Sequence, residues 1–159
     1  MFYNLERINV GFEVVGQTVV ISSKFSEKDE VKSWGARWSP EKKVWYFSLE
    51  HFVLLFKFLN ETYIFVDSPE PPYFNIPPKT FVHKNKPLVF REVDDDVTPV
   101  VEALVAPFEF KDELKELGFW WNANKKVWYY PDVDVFFYMF SDYVVQVQDD
   151  KLLNLDNFF

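Results

Sequence analysis

A repeated segment constrains this chain more than any other feature of its sequence. Residues 28–47 align with residues 111–130 at a constant offset of 83 residues and without a gap. The eleven residues of the first copy that recur in the second are Lys28, Asp29, Glu30, Lys32, Gly35, Trp38, Lys42, Lys43, Val44, Trp45 and Tyr46. An internal repeat of this length predicts that one structural unit occurs twice.

Each copy predicts the same order of secondary structure. A β-branched or apolar run, at 18–23 or 101–107, favours a strand. The helix after it is expected to end at Gly35 or Gly118, because glycine accepts the left-handed conformation past a helix C-terminus. A polar turn between two aromatic runs then predicts a β-hairpin. The predicted helices are 26–34, 49–60, 109–117 and 132–141, and the predicted closing strands are 62–66 and 143–147.

These elements define the predicted fold class and domains. The class is α+β, with two repeated β-α-β-β-α-β lobes packed as one pseudo-symmetric unit. A strand pair that turns at Gly16-Gln17 precedes the first copy, and five prolines in 68–81 favour an extended connector with a hairpin around 84–86. The predicted domains are a first lobe at 1–67, a connector at 68–100, a second lobe at 101–148 and an acidic tail at 149–159.

The composition limits the possible chemistry. Hydrophobic residues make up 48% of the chain and aromatic residues 21%, which predicts a folded protein rather than a disordered one. The chain has no cysteine and two histidines, so we expect no disulfide, metal site or cofactor. No apolar run approaches the ~20 residues that cross a bilayer, and we expect a cytoplasmic protein, in the host cytoplasm if it is a phage protein.

The charge is unevenly distributed along the chain. A net charge of -8 argues against simple electrostatic binding of nucleic acid. Residues 19–47, however, contain six cationic side chains against four carboxylates, and the acids gather at 67–70, 92–96 and 132–156. The sequence therefore predicts a locally basic surface on an acidic protein.

The repeated hairpin is the candidate binding site. Side chains alternate between the two faces of a strand, and the tryptophans at 38, 45, 121 and 128 are predicted to form the core face, with direct stacking on a ligand as the alternative. The opposite face is predicted to bind nucleic acid through Arg37, Lys42, Lys43, Tyr46, Trp120, Lys125, Lys126 and Tyr129. The other interpretation of these lysines is a solvated hairpin tip.

A resemblance supports the nucleic-acid interpretation. The run Gly-Ala-Arg-Trp at 35–38, followed by Lys-Val-Trp-Tyr at 43–46, resembles a short module found beside primases and other DNA enzymes. The pattern Lys-x-Trp-x-Phe-x-Leu at 43–49 is similar to the HARP domain of annealing helicases. This resemblance implies recognition of DNA with single-stranded character.

The C-terminal residues suggest a second interaction. The segment 149–159 is acidic and ends in a phenylalanine pair, which resembles the tip of phage and bacterial single-stranded-DNA-binding proteins. The resemblance implies that Asp156, Phe158 and Phe159 bind a replication or recombination protein. The alternative is an amphipathic cap that packs on the second lobe.

The sequence favours a binding protein over an enzyme. It contains no phosphate-binding glycine loop or nucleophile elbow, and the acids at the helix starts are explained by the helix dipole. The first hypothesis is a single-stranded-DNA-binding protein of phage or mobile-element type. The alternatives are a protein-interaction module, such as an inhibitor that imitates DNA, and a nuclease or nucleotide-processing enzyme with an unrecognised site.

Overall fold

The computed structural model describes residues 1–94, 98–148 and 151–152. Within these ranges the chain forms two antiparallel sheets and four α-helices, which confirms the predicted α+β class. The chain divides into two compact units, Met1–Phe74 and Asn75–Phe159. None of the helices in the described part is both long and apolar enough to cross a membrane.

The first unit contains five strands and two helices. They are β1 (Phe2–Asn4), β2 (Val10–Val15), β3 (Thr18–Ser23), α1 (Lys28–Ser33), β4 (Arg37–Ser39), β5 (Val44–Ser48) and α2 (Leu49–Tyr63). The sheet order is β1-β2-β3-β5-β4. The turn between β2 and β3 falls at Gly16-Gln17, as predicted, and Gly16 has a φ of 61°.

An aromatic core holds α2 against this sheet. Phe12 of β2 and Phe52 of α2 have ring centroids 4.9 Å apart, and Phe65 stacks on Phe56 at 4.3 Å. Ser48 caps the N-terminus of this helix, since its side-chain oxygen accepts a hydrogen bond of 3.1 Å from the backbone nitrogen three residues later. The apolar face of α2 therefore packs on the sheet through Phe12 and Phe47.

The second unit contains seven strands and two helices. They are β6 (Thr80–His83), β7 (Val89–Asp94), β8 (Pro99–Val105), α3 (Lys111–Glu116), β9 (Trp120–Asn122), β10 (Val127–Tyr130), α4 (Val133–Phe140), β11 (Val144–Gln148) and β12 (Lys151–Leu152). The sheet order is β12-β11-β6-β7-β8-β10-β9. Phe90, Phe119, Phe136 and Phe140 form the centre of its core.

The repeated segments form the same elements in both units. The offset of 83 residues relates the starts of α1 and α3, of β4 and β9, and of β5 and β10. A short 3-10 turn precedes each short helix, at Phe25–Glu27 and Phe108–Phe110. The predicted helix ends are confirmed, since Gly35 and Gly118 have φ values of 83° and 99°.

Two regions differ from the sequence-based expectations. The closing strand predicted at 62–66 is wrong, because α2 continues to Tyr63 and only Phe65 makes an isolated bridge, with Leu5. Its counterpart in the second copy is confirmed as β11. The segment predicted as a connector contributes β6 and β7 to the middle of the second sheet, joined by the hairpin expected around 84–86.

Candidate nucleic-acid interface

Each repeated hairpin holds a pair of tryptophans. The register of β4 and β5 places Trp38 opposite Trp45, with ring centroids 5.2 Å apart and ring planes at 59°. The register of β9 and β10 places Trp121 opposite Trp128, with centroids 5.2 Å apart and planes at 58°. The two hairpins therefore build the same ring pair.

The outer tryptophan of each pair is exposed to solvent. Trp38 is 47% exposed and Trp121 is 50% exposed, while Trp45 and Trp128 are half-buried. The prediction that all four are largely buried is therefore wrong. The outer rings lie on β4 and β9, which are edge strands, and the neighbouring helices α1 and α3 have only six residues each. Such short helices cannot cover both rings of a pair.

A lysine lies over the inner tryptophan of each pair. The Lys32 ammonium is 5.9 Å from the ring centroid of Trp45, and the Lys115 ammonium is 6.0 Å from that of Trp128. These distances are within the range of cation–π attraction. A charged group therefore lies where an apolar side chain would complete a core, and the outer ring of each pair remains exposed.

Each unit also exposes a phenylalanine that has a second lysine over its ring. Phe25 is 81% exposed and Phe108 is 78% exposed, and the Lys28 or Lys111 ammonium lies 4.2 Å from the respective ring centroid. We call Phe25, Lys28, Lys32, Trp38 and Trp45 the first aromatic surface, and Phe108, Lys111, Lys115, Trp121 and Trp128 the second. Both phenylalanines also recur at the offset of 83 residues, but they are not among the residues predicted from sequence to bind nucleic acid.

The residues predicted to bind nucleic acid lie partly together. Arg37 faces Tyr46 across the first hairpin, and Trp120 faces Tyr129 across the second. Strand alternation places these pairs on the opposite face from the tryptophan pairs. Arg37 is exposed and Trp120 is 63% exposed. That this face binds nucleic acid stays a prediction.

The four predicted turn lysines are exposed at the hairpin tips. Lys43 and Lys126 have φ values of 56° and 55°, the left-handed conformation that glycine or asparagine adopts more readily. The backbone nitrogen of Lys43 donates to the Ser39 carbonyl at 2.7 Å, which closes the first turn. Both hairpins therefore hold a lysine in a conformation that costs about 1 kcal/mol.

The hairpins differ in the charge next to the turn lysines. The Lys125 ammonium lies 3.4 Å from the Glu102 carboxylate. Glu102 is opposite Tyr129, and the corresponding place opposite Tyr46 is held by Val20. Among residues 1–94, 98–148 and 151–152, no carboxylate forms an ion pair with the turn lysines of the first hairpin. The first hairpin therefore offers more unpaired positive charge.

An open cavity lies beside the first aromatic surface. The ladder between β3 and β5 ends at the pair Ile21 and Trp45, and a cavity of about 410 Å³ opens next to it. Its lining combines aromatic rings, ammonium groups and hydroxyls from Phe25, Trp38, Trp45, Lys28, Lys43 and Ser23. These groups suit a ligand with a flat ring and a negative charge.

The two histidines have structural positions. His51 stacks on Phe47 at a centroid distance of 4.6 Å, and its Nε2 lies 2.5 Å from the Trp34 carbonyl oxygen. The His83 Nδ1 accepts hydrogen bonds of 3.0 and 3.2 Å from the backbone nitrogens two and three residues later in the turn. Burial lowers the pKa of each histidine to about 4. Both rings are therefore neutral at pH 7.

In the described part of the chain, histidines and carboxylates form no group of three suited to a metal ion. The predicted partner-binding residues Asp156, Phe158 and Phe159 lie outside the described residues. Comparison of the chain with protein-family models, curated proteins and solved structures gave no match.

Proposed function

We propose that the chain is a non-enzymatic single-stranded-DNA-binding protein whose two aromatic surfaces hold the strand. One observation carries this proposal: none of the eleven residues shared by the two copies is buried, whereas the buried positions of the repeat differ. The buried residues of the first copy and their counterparts are Val31 with Leu114, Trp34 with Leu117, and Phe47 with Tyr130.

This pattern is the reverse of what folding alone requires. Core positions tolerate mainly substitutions that keep their volume, whereas most surface positions change at little cost. Two copies that only had to fold would therefore keep their buried residues and vary their exposed ones. Gly35 is explained by its backbone conformation, but the shared lysines and tryptophans are not. A common ligand explains why the surface is the shared part.

The chemistry of the surface fits a single strand. Aromatic rings stack on bases with about 1–3 kcal/mol per base, without reading sequence, and neighbouring cations neutralise phosphates. Each aromatic surface supplies two tryptophans, one phenylalanine and two lysines within this arrangement. Leaving large rings in water is unfavourable by roughly 25 cal/mol per Å² of apolar area. Stacked bases would cover that area.

Double-stranded DNA fits the same surface less well. In a duplex the base faces are already stacked on each other, so exposed rings have nothing to cover. The duplex also carries one negative charge per ~1.7 Å of its axis, which a protein with a net charge of -8 repels beyond its local basic surface. We expect a preference for single strands and little dependence on sequence.

The equivalence of the two units belongs to the same proposal. We infer that they are pseudo-symmetric copies of one lobe, since the same ring pair and the same two cation–ring contacts recur at one offset. Recruitment of a replication or recombination protein through Asp156, Phe158 and Phe159 remains the accompanying prediction.

The proposal is tested by a fluorescence titration with a thymine oligonucleotide at two salt concentrations, with the matching duplex as a competitor. The double variant Trp38→Ala/Trp121→Ala should bind at least about tenfold more weakly, because two stacking contacts are lost. Phe2→Ala and Tyr138→Ala are matched controls, since these side chains are 71% and 89% exposed and lie outside the aromatic surfaces. Absence of saturable binding by the parent would refute the function.

A protein-interaction module is the second candidate, and one observation favours it. Helix α4 and the turn after it expose an apolar group formed by Val135, Tyr138, Met139 and Tyr143, which are 41%, 89%, 44% and 54% exposed. Exposed apolar groups of this kind mark protein contacts. If the oligonucleotide does not bind while Tyr138→Ala abolishes capture of a protein partner, this second function replaces the first.

A further inference from the structure

We infer that the cavity beside the first aromatic surface binds one nucleotide unit, with the base against Trp38 and Phe25 and the phosphate at Lys24, Lys28 and Lys43. This inference deepens the proposed function and rests on it for the source of the nucleotide. It also assigns different roles to the two units, because the first would hold a base in a cavity and the second would offer only a stacking surface.

The cavity has the position and size for such a ligand. It opens where the ladder between β3 and β5 ends, so the last residues of β3 and the first residues of β5 form its two sides. Its volume of about 410 Å³ falls within the range of about 300–1,000 Å³ that is usual for small-ligand sites. A base with its phosphate is a ligand of this class.

The lining of the cavity places aromatic rings and cations side by side, as a nucleotide requires. Trp38 and Phe25 supply the exposed rings, at 47% and 81% exposure. Lys24, Lys28 and Lys43 lie on the same lining, and the Lys28 ammonium is 4.2 Å from the Phe25 ring centroid. A base stacked on these rings would thus have ammonium groups beside it for its phosphate.

Two hydroxyl groups complete the lining. Ser22 and Ser23 belong to the end of β3, and within the described ranges their side chains make no hydrogen bond to protein atoms. A hydroxyl can donate one hydrogen bond and accept others, so it can contact a base edge or a phosphate oxygen. These serines give the cavity polar contacts that a purely stacking surface lacks.

The second unit has a different wall at the corresponding place. Since Val20 and Glu102 occupy equivalent positions opposite Tyr46 and Tyr129, the β-strand register equates Ser23 with Val105. The next residues, Lys24 and Ala106, correspond in the same way, and one extra residue, Pro107, precedes Phe108. Val105 and Pro107 are buried. The hydroxyl and ammonium groups of the first wall are therefore replaced by apolar side chains in the second.

The test uses the indole N–H signals of the six tryptophans in the full chain, assigned by single Trp→Phe substitutions. Deoxyadenosine monophosphate is titrated to about 10 mM, in parallel with deoxyadenosine and with inorganic phosphate. We expect saturable shifts at Trp38 and Trp45 with the nucleotide, and a dissociation constant at least about fivefold weaker for either fragment. Equal shifts at Trp121 and Trp128, or no saturable shift at Trp38, would overturn the inference.

A second experiment replaces side chains of the cavity wall in the first unit by those at the corresponding positions of the second unit. Ser23→Val/Lys24→Ala gives the first unit the side chains of the second and should weaken nucleotide binding by about fivefold or more. Tyr138→Ala is the control, because this exposed ring lies outside both aromatic surfaces, and it should leave nucleotide binding unchanged. If this double variant is folded and binds the nucleotide as well as the parent does, the inference is refuted. If its spectrum shows that it is unfolded, the single variant Lys24→Ala is tested in its place.

The two proposals fail separately. If the oligonucleotide binds and shifts all four paired tryptophans but the mononucleotide does not bind, the cavity is not a nucleotide site and the proposed function stands. If the mononucleotide binds and the oligonucleotide does not, the cavity is a small-ligand site and the proposed function falls.

Discussion

In the first unit Trp34 is fully buried against Phe12 and Tyr63, and in the second its place is taken by the half-buried Leu117. The helix after the hairpin has 15 residues in the first unit and eight in the second. Despite these differences, the tryptophan pairs lie at 5.2 Å in both units and the lysine–phenylalanine contacts at 4.2 Å. Two different cores therefore support one surface geometry.

The surface geometry and the core of each unit depend on different parts of the duplicated sequence. The surface geometry depends on the hairpin register, on the left-handed turn residue and on the glycine after the short helix, and all three are local features. The core depends on which helix packs on the sheet, and the helices differ in length. Local determinants can thus stay fixed while the packing below them changes, as long as each core stays filled.

The largest expected effect is a loss of stability of the first unit at acidic pH. His51 has a pKa lowered to about 4 by burial, whereas its counterpart in the second unit is the exposed Asp134. A histidine with a folded pKa below its unfolded value of 6.5 contributes stability above pH 6.5 that is lost as the pH falls toward 4. The contribution is up to about 3 kcal/mol, at 1.36 kcal/mol per pKa unit.

Urea unfolding of the parent and of His51→Phe between pH 7 and pH 4 measures the contribution of His51 to the pH dependence of stability. The variant keeps a ring on Phe47 but loses the hydrogen bond to Trp34, so it should be about 1 kcal/mol less stable at pH 7. Its pH dependence should be shallower, with the remainder supplied by His83. Parallel curves for parent and variant would refute the assignment to His51.

Exchanging a buried residue between the units should separate stability from binding. Trp34→Leu introduces the residue of the second unit and should lower the free energy of unfolding by about 2 kcal/mol. The lost contacts with Phe12 and Tyr63 outweigh the gain from removing the indole Nε1, which is buried without a hydrogen-bond partner in the described residues. Binding by the folded fraction should be unchanged.

The matched variant Trp38→Leu should behave in the opposite way. Trp38 is 47% exposed, so its replacement should cost less than about 1 kcal/mol of stability while weakening oligonucleotide binding severalfold. Urea unfolding gives the free energy of unfolding of each variant, and fluorescence titration gives the oligonucleotide affinity of each. The comparison fails if Trp34→Leu reduces the affinity of the folded protein as much as Trp38→Leu does.

The hairpin turns provide a third test. Lys43→Gly and Lys126→Gly relieve the left-handed backbone, and each should raise the unfolding free energy by up to about 1 kcal/mol. Each also removes a cation, so the logarithmic salt slope of single-strand binding should fall by about 0.7. Greater stability with weaker binding is the expected combination. Lys42→Gly is the control, because it removes a charge without relieving a positive φ.

A smaller effect should follow from freeing Lys125. Glu102→Val gives the second unit the residue that the first has at Val20, and it removes the carboxylate 3.4 Å from the Lys125 ammonium. We expect the salt slope of binding to rise by about 0.7, with a stability change within about 0.5 kcal/mol. An unchanged slope would show that this lysine does not approach phosphate.

The smallest expected effect concerns the acidic tail. Truncation after Leu152 keeps β12 paired with β11, whereas truncation after Gln148 removes that pairing. Removing carboxylates that compete with phosphates should tighten oligonucleotide binding in both forms, most clearly at low salt. Thermal unfolding separates the two truncations, and a large loss of stability after either would indicate a structural cap instead.

Local features of the fold were predictable from sequence, and features that depend on distant neighbours were not. The ends of α1 and α3 follow from glycine chemistry, and the hairpins follow from polar turns between aromatic runs. The burial of Trp38 was mispredicted because it depends on β4 being an edge strand and on the length of α1. Likewise, the place of β6 and β7 inside a sheet is a long-range pairing that no local pattern specifies.

In the candidate site, too, local features were predictable from sequence and features that depend on distant neighbours were not. The repeat identified the hairpins and their turn lysines, but the tryptophans, which recur in both copies and share one strand face, were assigned to the core. That face is covered by α2 only near Phe47, and beyond it the same face carries the exposed first aromatic surface. One strand face can therefore be core at one end and surface at the other, which a periodic pattern cannot distinguish.

The paired indoles have an optical consequence. Two indoles held 5.2 Å apart with their planes at 59° or 58° are close enough for their electronic transitions to couple, which splits the far-ultraviolet circular dichroism into a positive and a negative lobe. Both pairs sit on twisted antiparallel hairpins of one hand, so their couplets should share a sign. The chain thus contains a built-in chromophore at each aromatic surface, and its signal depends on ring geometry rather than on total helix or strand content.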